Sequence, residues 1–111
     1  MDKDNGNEKA ERRPLFSLGQ IFATPGALAA LQTTGQHPFE FLHRHVTGDF
    51  GDLVEEDQRA NRRALEDGGR IFSAYNTVRG ERIWIITEAT LDDDEDPTVR
   101  QVTTILTPLE Y

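Results

Sequence analysis

Three histidines crowd into nine residues of this chain, His37, His43 and His45, and histidine is the side chain whose ordinary pKa suits acid–base work near neutrality. All three fall in or beside one amphipathic segment that begins at Pro38. Positions 43 and 45 differ by about 200° around a helix, so they cannot converge on one metal ion while that helix is intact, and no metal site is expected. His45 lies one turn from Phe41, at the margin of the apolar stripe. Two readings of it stand. In one it is a boundary histidine whose ring is satisfied by hydrogen bonds. In the other it is a general acid–base group, joined by Glu88 at the end of one strand and Arg70 at the start of its neighbour. That set, with Tyr75 or Tyr111 assisting, suits phosphodiester cleavage, because it pairs proton transfer with a cationic stabiliser. The plainer reading of Arg70 and Glu88 is an ion pair tying two strand ends together.

The remaining candidates are carboxylates. Asp49, Asp52, Glu55, Glu56 and Asp57 surround the start of a helix, where negative charge complements the helix dipole. Residues 92–96 are five consecutive acids. A calcium loop alternates its ligands with turn-forming residues and closes on a glutamate, which this run does not, so a solvated loop is expected. Taken together the two groups also suggest a surface of spaced carboxylates that imitates a phosphate backbone and occupies a nucleic-acid-binding protein. No phosphate-binding loop, dinucleotide fingerprint, nucleophile elbow or zinc-protease motif is present, and no cofactor is expected.

These residues need a scaffold, and the hydrophobic pattern supplies one. Residues 14–23 read as an edge strand or an extended lead-in. Thr24-Pro25 starts a short helix whose face carries Ala27, Leu28 and Leu31, and Gly35 closes it. His37-Pro38 repeats the start signal, with Phe39, Leu42 and Val46 as the buried stripe and Gly48 as the end. Phe50 is expected to plug into the core from the turn-rich link 48–53. A third helix runs over 54–67, with Leu53, Ala60 and Ala64 inward, Glu55/Arg59 and Arg62/Glu66 paired outward, and Gly68-Gly69 as the stop.

The period then changes. Residues 70–78 and 81–87 are β-branched and aromatic runs flanking a hairpin turn at Arg79-Gly80, and 98–107 form a further strand beyond the acidic loop 91–97. In the strand from Arg82 to Glu88, Ile83, Ile85 and Thr87 face one way and Trp84, Ile86 and Glu88 the other. Both faces are apolar, which marks a central strand with either both faces covered or one face forming a groove. The fold class expected is α+β: three short helices, then a three- to four-stranded antiparallel sheet packed on them.

Composition bounds the function. The 111 residues hold 20 acidic against 12 basic side chains, and residues 1–13 hold four of each sign, so the whole excess of eight negatives lies in residues 14–111. Such a field repels phosphates, so direct DNA binding is not expected and a cationic protein partner is. Residues 1–13 have too few apolar side chains to offset the entropy of ordering and read as a disordered tail ahead of one domain, 14–111. No cysteine is present, which excludes disulfides and thiolate chemistry and fits a reducing cytoplasm. No apolar run approaches the roughly 18 residues of a membrane span, so no membrane association is expected.

The segments LFSLGQIFATPGALAAL, FLHRHVTGDFGDLVEEDQRAN, RIFSAY, IWIITEA and TTILTPLEY together resemble a family of small uncharacterised, plasmid-related proteins of bacterial mobile elements. The resemblance covers nearly all of residues 15–111. It implies a mobile-element origin and, because the corresponding link in that family is short, that the acidic loop is an insertion. A looser likeness in topology is to barnase-like and toxin-type endoribonucleases. The leading expectation is therefore a non-enzymatic accessory protein, anti-defence or regulatory, that binds a protein through Asp49, Asp52, Glu55, Glu56, Asp57 and Trp84. The alternative is an endoribonuclease using His45, Arg70 and Glu88, and a homodimer through the Trp84 face is a third expectation.

Overall fold

In the computed structural model, which describes residues 13–92 and 95–111, the chain forms three helices and a four-stranded sheet, an α+β fold. The expected disordered tail thus lies, except for Arg13, outside the described residues, as do two positions of the acidic loop. The elements run β1 (Gln20–Ala23), α1 (Pro25–Thr34), α2 (Pro38–Val46), α3 (Glu55–Asp67), β2 (Ile71–Asn76), β3 (Arg82–Thr87) and β4 (Val102–Leu106), followed by a 3-10 turn, Pro108–Glu110.

Each helix starts and stops on local chemistry. The Thr24 hydroxyl accepts from the Ala27 N–H and Pro25 occupies the first turn of α1, which ends on Gly35 in the left-handed conformation. His37 caps α2, its Nδ1 accepting from the Phe39 N–H at 3.1 Å. Helix α3 opens on Glu55, Glu56 and Asp57 and closes on left-handed Gly68.

The strand order is β1-β4-β3-β2. Strand β3 is central and antiparallel to both neighbours, while β1 runs parallel to β4 at the edge. That parallel pair departs from the fully antiparallel sheet expected. Its cause is topological, since α1, α2, α3, β2 and β3 all intervene before the chain returns to β1. The register lines up Phe72, Ile86, Thr104 and Phe22 across the sheet on one face, and Tyr75, Ile83 and Ile85 with Ile105 on the other.

The helices cover the second face. Ala27, Ala30, Leu31, Phe41 and Leu42 pack there on Tyr75, Ile83, Ile85 and Ile105, and a second cluster joins Phe16, Val46, Phe50, Ala64 and Ile71. Phe50 enters the core as expected, with its ring edge-on to His45. Three helical faces differ from the pattern. Leu28 and Phe39 are exposed, Phe39 stacking on His37, while Ala30 and Phe41 take the buried positions. Ala60 is exposed and Asn61 is buried instead, and Arg62 pairs with Glu55 rather than Glu66.

Asn61 is buried because it closes a sheet edge. Its side-chain amide donates to the Phe72 carbonyl at 2.7 Å and its oxygen accepts from the Phe72 N–H at 3.0 Å. Further along β2, the Ala74 N–H donates to Phe50 O and the Asp52 N–H donates to Ala74 O. Between these, Gly51 has φ +79° and comes so close that a Cβ there would lie 2.0 Å from the Ala74 carbonyl oxygen, so only glycine fits. The outer edge of β2 is thereby satisfied by other parts of the chain.

Candidate functional site

The expected catalytic residues are placed on different sides of the sheet. His45 has no exposed surface and sits beneath the helical layer. Its Nδ1 lies 2.6 Å from Ser73 Oγ and its Nε2 2.9 Å from Thr87 Oγ1. Thr87 Oγ1 is 2.7 Å from Thr103 Oγ1, which donates to the Leu18 carbonyl at 2.8 Å. This chain of contacts fixes every proton. Thr103 spends its one proton on Leu18, so it accepts from Thr87. Thr87 therefore accepts from His45 Nε2–H, and the unprotonated Nδ1 accepts from Ser73. Burial pushes the ring pKa down to about 3, so the neutral form that this direction requires is the form present near neutrality.

The boundary position expected for His45 is thus corrected to a core position, because the polar groups that satisfy it come from β2, β3 and β4. As a catalytic group it has neither access nor an available proton. Glu88 follows Thr87 and points to the opposite face by the alternation of the strand. There its Oε1 lies 3.4 Å from Arg70 Nε, both side chains about half-exposed. Arg70 also donates to the Tyr111 hydroxyl at 2.9 Å, and that bond, followed by the Glu88 charge, raises the pKa of the guanidinium. The structure therefore brings Arg70, Glu88 and Tyr111 together and leaves His45 apart from them. Tyr75 is also apart. Its ring is in the core and its hydroxyl donates to the Asp49 carbonyl, with burial raising its pKa.

Among the described residues the two core clusters take nothing from the face bearing Trp84, against which the 3-10 turn packs. Trp84 is partly buried, edge-on to Phe72 at 5.0 Å and to Tyr111 at 5.6 Å between ring centroids. With Arg70 and Ile86 these rings line a pocket of about 300 Å³. A second hollow of about 260 Å³ shares Phe72 and Trp84 with the first and extends to Asp52, Val54, Asp57 and Arg82. The two hollows adjoin across the Phe72 and Trp84 rings, the first apolar and aromatic and the second bearing carboxylates and Arg82, and together they make up the groove considered below.

Of the acidic group, only Asp52 and Asp57 line this groove. Asp49 accepts from Arg44 at 2.7 Å, Asp52 pairs with Arg82 at 3.1 Å, and Glu55 pairs with Arg62 at 3.0 Å and Arg59 at 3.7 Å. Arginines thus interrupt the row of carboxylates, and Glu56 and Asp57 form the first turn of α3 beside them. In the acidic loop, Asp96 accepts from the backbone N–H and hydroxyl of Thr98, which lowers its pKa. Among the described residues no group of three His, Cys, Asp or Glu side chains is arranged to hold a metal ion, and no helix is long and apolar enough to cross a membrane.

Phe72 and Arg82 complete the groove beyond the residues expected, while Ile86 is the residue expected on the Trp84 face and Tyr111 the group expected to assist the catalytic set. The strand alternation carries the signal for Phe72, since it pairs with Ile86 on the face of Trp84. Tyr111 has no such signal, because its place depends on the 3-10 turn packing back against β3. Comparison with known protein families, with curated proteins and with solved structures found no match to this chain.

Proposed function

We propose that the protein is a non-enzymatic binding protein that takes up a basic, apolar segment of a partner protein on the sheet face that bears Trp84. The observation that carries this reading is the adjacency of two hollows: an aromatic pocket around Trp84 shares Phe72 and Trp84 with a hollow lined by the carboxylates of Asp52 and Asp57. An apolar or aromatic side chain of the partner fills the pocket, and an adjacent Arg or Lys meets Asp57 and competes with Arg82 for Asp52. The net charge of −8 favours the same class of partner by long-range attraction. Proteins that bind nucleic acids present basic surfaces of this kind. The resemblance to plasmid-related proteins suggests such a partner within a mobile element or its host.

Trp84 is the sole tryptophan, so its fluorescence reports occupancy directly. The test is a titration with synthetic peptides that pair Arg or Lys with Leu, Phe or Trp analogues lacking indole emission. Binding is expected to change Trp84 emission and to weaken by about tenfold in a D52N/D57N variant and in raised salt. Peptides that leave the emission unchanged, or that bind the double variant equally well, refute the reading.

A further inference from the structure

The two edges of the sheet are treated differently. The β2 edge is closed by Asn61, Phe50 and Asp52, as described above. The β1 edge has no such cover: among the described residues its pairing is with β4 alone. Gln20 N–H donates to Gln101 O and Thr24 N–H to Ile105 O, so alternate residues of β1 turn their backbone groups toward β4. By that alternation the N–H and C=O groups of Ile21 and Ala23 point outward. The side chains at this edge are apolar and open, with Ile21 43% and Phe22 52% exposed. An edge without charge, proline or bulge is a template for a further strand.

Charge selects the occupant. Residues 14–39 contain no Asp, Glu, Lys or Arg, a run of 26 in a chain that is 29% charged. This run supplies β1 and α1, including exposed Leu28 beside the uncovered edge in sequence. Two copies carrying −8 each repel one another through their acidic surfaces, and a strand whose own residues carry no charge adds nothing to that repulsion. A basic or acidic peptide would find no counter-charge on β1 itself, and the Glu110 carboxylate beside its end is already held by Thr24 and Gly26, whereas an identical uncharged strand matches it.

We infer that the protein forms a twofold dimer in which β1 pairs antiparallel with β1 of a second copy, making one eight-stranded sheet. The backbone fixes the register. With the twofold axis at Phe22, Ile21 and Ala23 each exchange both backbone bonds with Ala23 and Ile21 of the second copy. Moving the axis to Ile21 would set Ala23 against Gly19, whose φ of +66° takes the chain out of the strand conformation. In the favoured register the two Phe22 rings meet as a non-hydrogen-bonded cross-strand pair. They join the rows Phe72–Ile86–Thr104–Phe22 of the two copies into one apolar line across the sheet. The inference does not depend on the Trp84 groove binding anything.

The test is sedimentation equilibrium of the full chain at up to about 100 µM, with oxidative cross-linking of a Phe22→Cys variant. The unsubstituted protein is expected at twice the 12.5 kDa chain mass, and F22K at the monomer mass with an unchanged circular dichroism spectrum. The chain has no cysteine of its own, so F22C is expected to give a covalent dimer, while V78C, exposed in the β2–β3 turn on the opposite side of the sheet, is not. Trp84→Ala is expected to leave the dimer intact, which separates this interface from the groove. A monomer at the highest concentration, or a dimer that survives F22K, overturns the inference. So does cross-linking of V78C as readily as F22C.

Discussion

Acidification gives the most direct test of the buried polar chain, because His45 must stay neutral for that chain to exist. Its ring has a pKa of about 3 in the folded protein against an ordinary 6.5. The sign follows from proton counting. Below pH 6.5 the unfolded chain binds a proton at His45 that the folded chain does not, so stability falls as the pH falls. The loss runs at about 1.4 kcal/mol per pH unit and levels off only near pH 3. Between pH 7.5 and pH 5, where most carboxylates remain ionised, it amounts to about 2 kcal/mol. For a domain of this size that corresponds to roughly 10 °C in Tm.

Urea unfolding followed by Trp84 emission measures this at each pH, and His45→Gln serves as the comparison. The quantity compared is the slope with pH, so the variant's absolute stability does not enter. The unsubstituted protein is expected to show a steeper loss by about 2 kcal/mol over that interval. In the folded protein the ring nitrogen shifts are expected to remain those of the neutral Nε2–H tautomer down to about pH 4.5. Equal slopes, or a His45 ring that titrates near 6.5 in the folded state, would refute both the burial argument and the assigned direction of the hydrogen bonds.

Two further predictions concern residues whose importance lies outside the groove. Arg100 is buried, and its guanidinium donates to the carbonyls of Pro97, Gly69, Glu88 and Ala64. Lysine cannot reach them all, so Arg100→Lys is expected to lose about 3 kcal/mol by chemical denaturation, and a loss below about 1 kcal/mol would contradict this account. Glu110 accepts from the Gly26 N–H, the Thr24 hydroxyl and the Thr107 N–H, which holds its carboxyl down at about 2. Its contribution is therefore present above the ordinary carboxyl range and is lost only as the pH falls toward 2. Glu110→Ala is expected to raise the Gly26 amide exchange rate about tenfold at neutral pH, and an unchanged rate would show that this clamp does not hold the start of α1.

Features governed by neighbours in sequence were legible from it. Thr24-Pro25, His37-Pro38, Gly35 and Gly68 each mark a helix end through a local backbone requirement, and the alternation from Arg82 to Glu88 correctly separated the two faces of the central strand. What could not be read depended on partners distant along the chain. Asn61 looks like a surface residue until the Phe72 backbone is set against it, and His45 looks peripheral until Ser73 and Thr87 are. The hydrophobic stripe misled at Phe39 for a local reason, since its ring stacks on His37 two residues away and stays outside the core. Of the candidate site, the Arg70–Glu88 pairing and the prominence of Trp84 were visible. The meeting of Trp84 with Asp52 and Asp57 was not, because it joins β3 to the entrance of α3 by tertiary packing alone. The parallel pairing of β1 with β4 belongs to the same class.

Arg100 bears on how this chain can change length. Its guanidinium holds both Glu88 O, where β3 ends, and Pro97 O, where the acidic loop returns. The two ends of that loop are therefore fastened to the same group, and their separation does not depend on what lies between them. Once the ends are fixed, lengthening a flexible loop costs only a term that grows with the logarithm of its length, about 0.6 kcal/mol for each doubling. The β3–β4 connection is consequently a place where residues can be gained or lost over evolutionary time, or a foreign segment grafted, while the sheet and its groove keep their form.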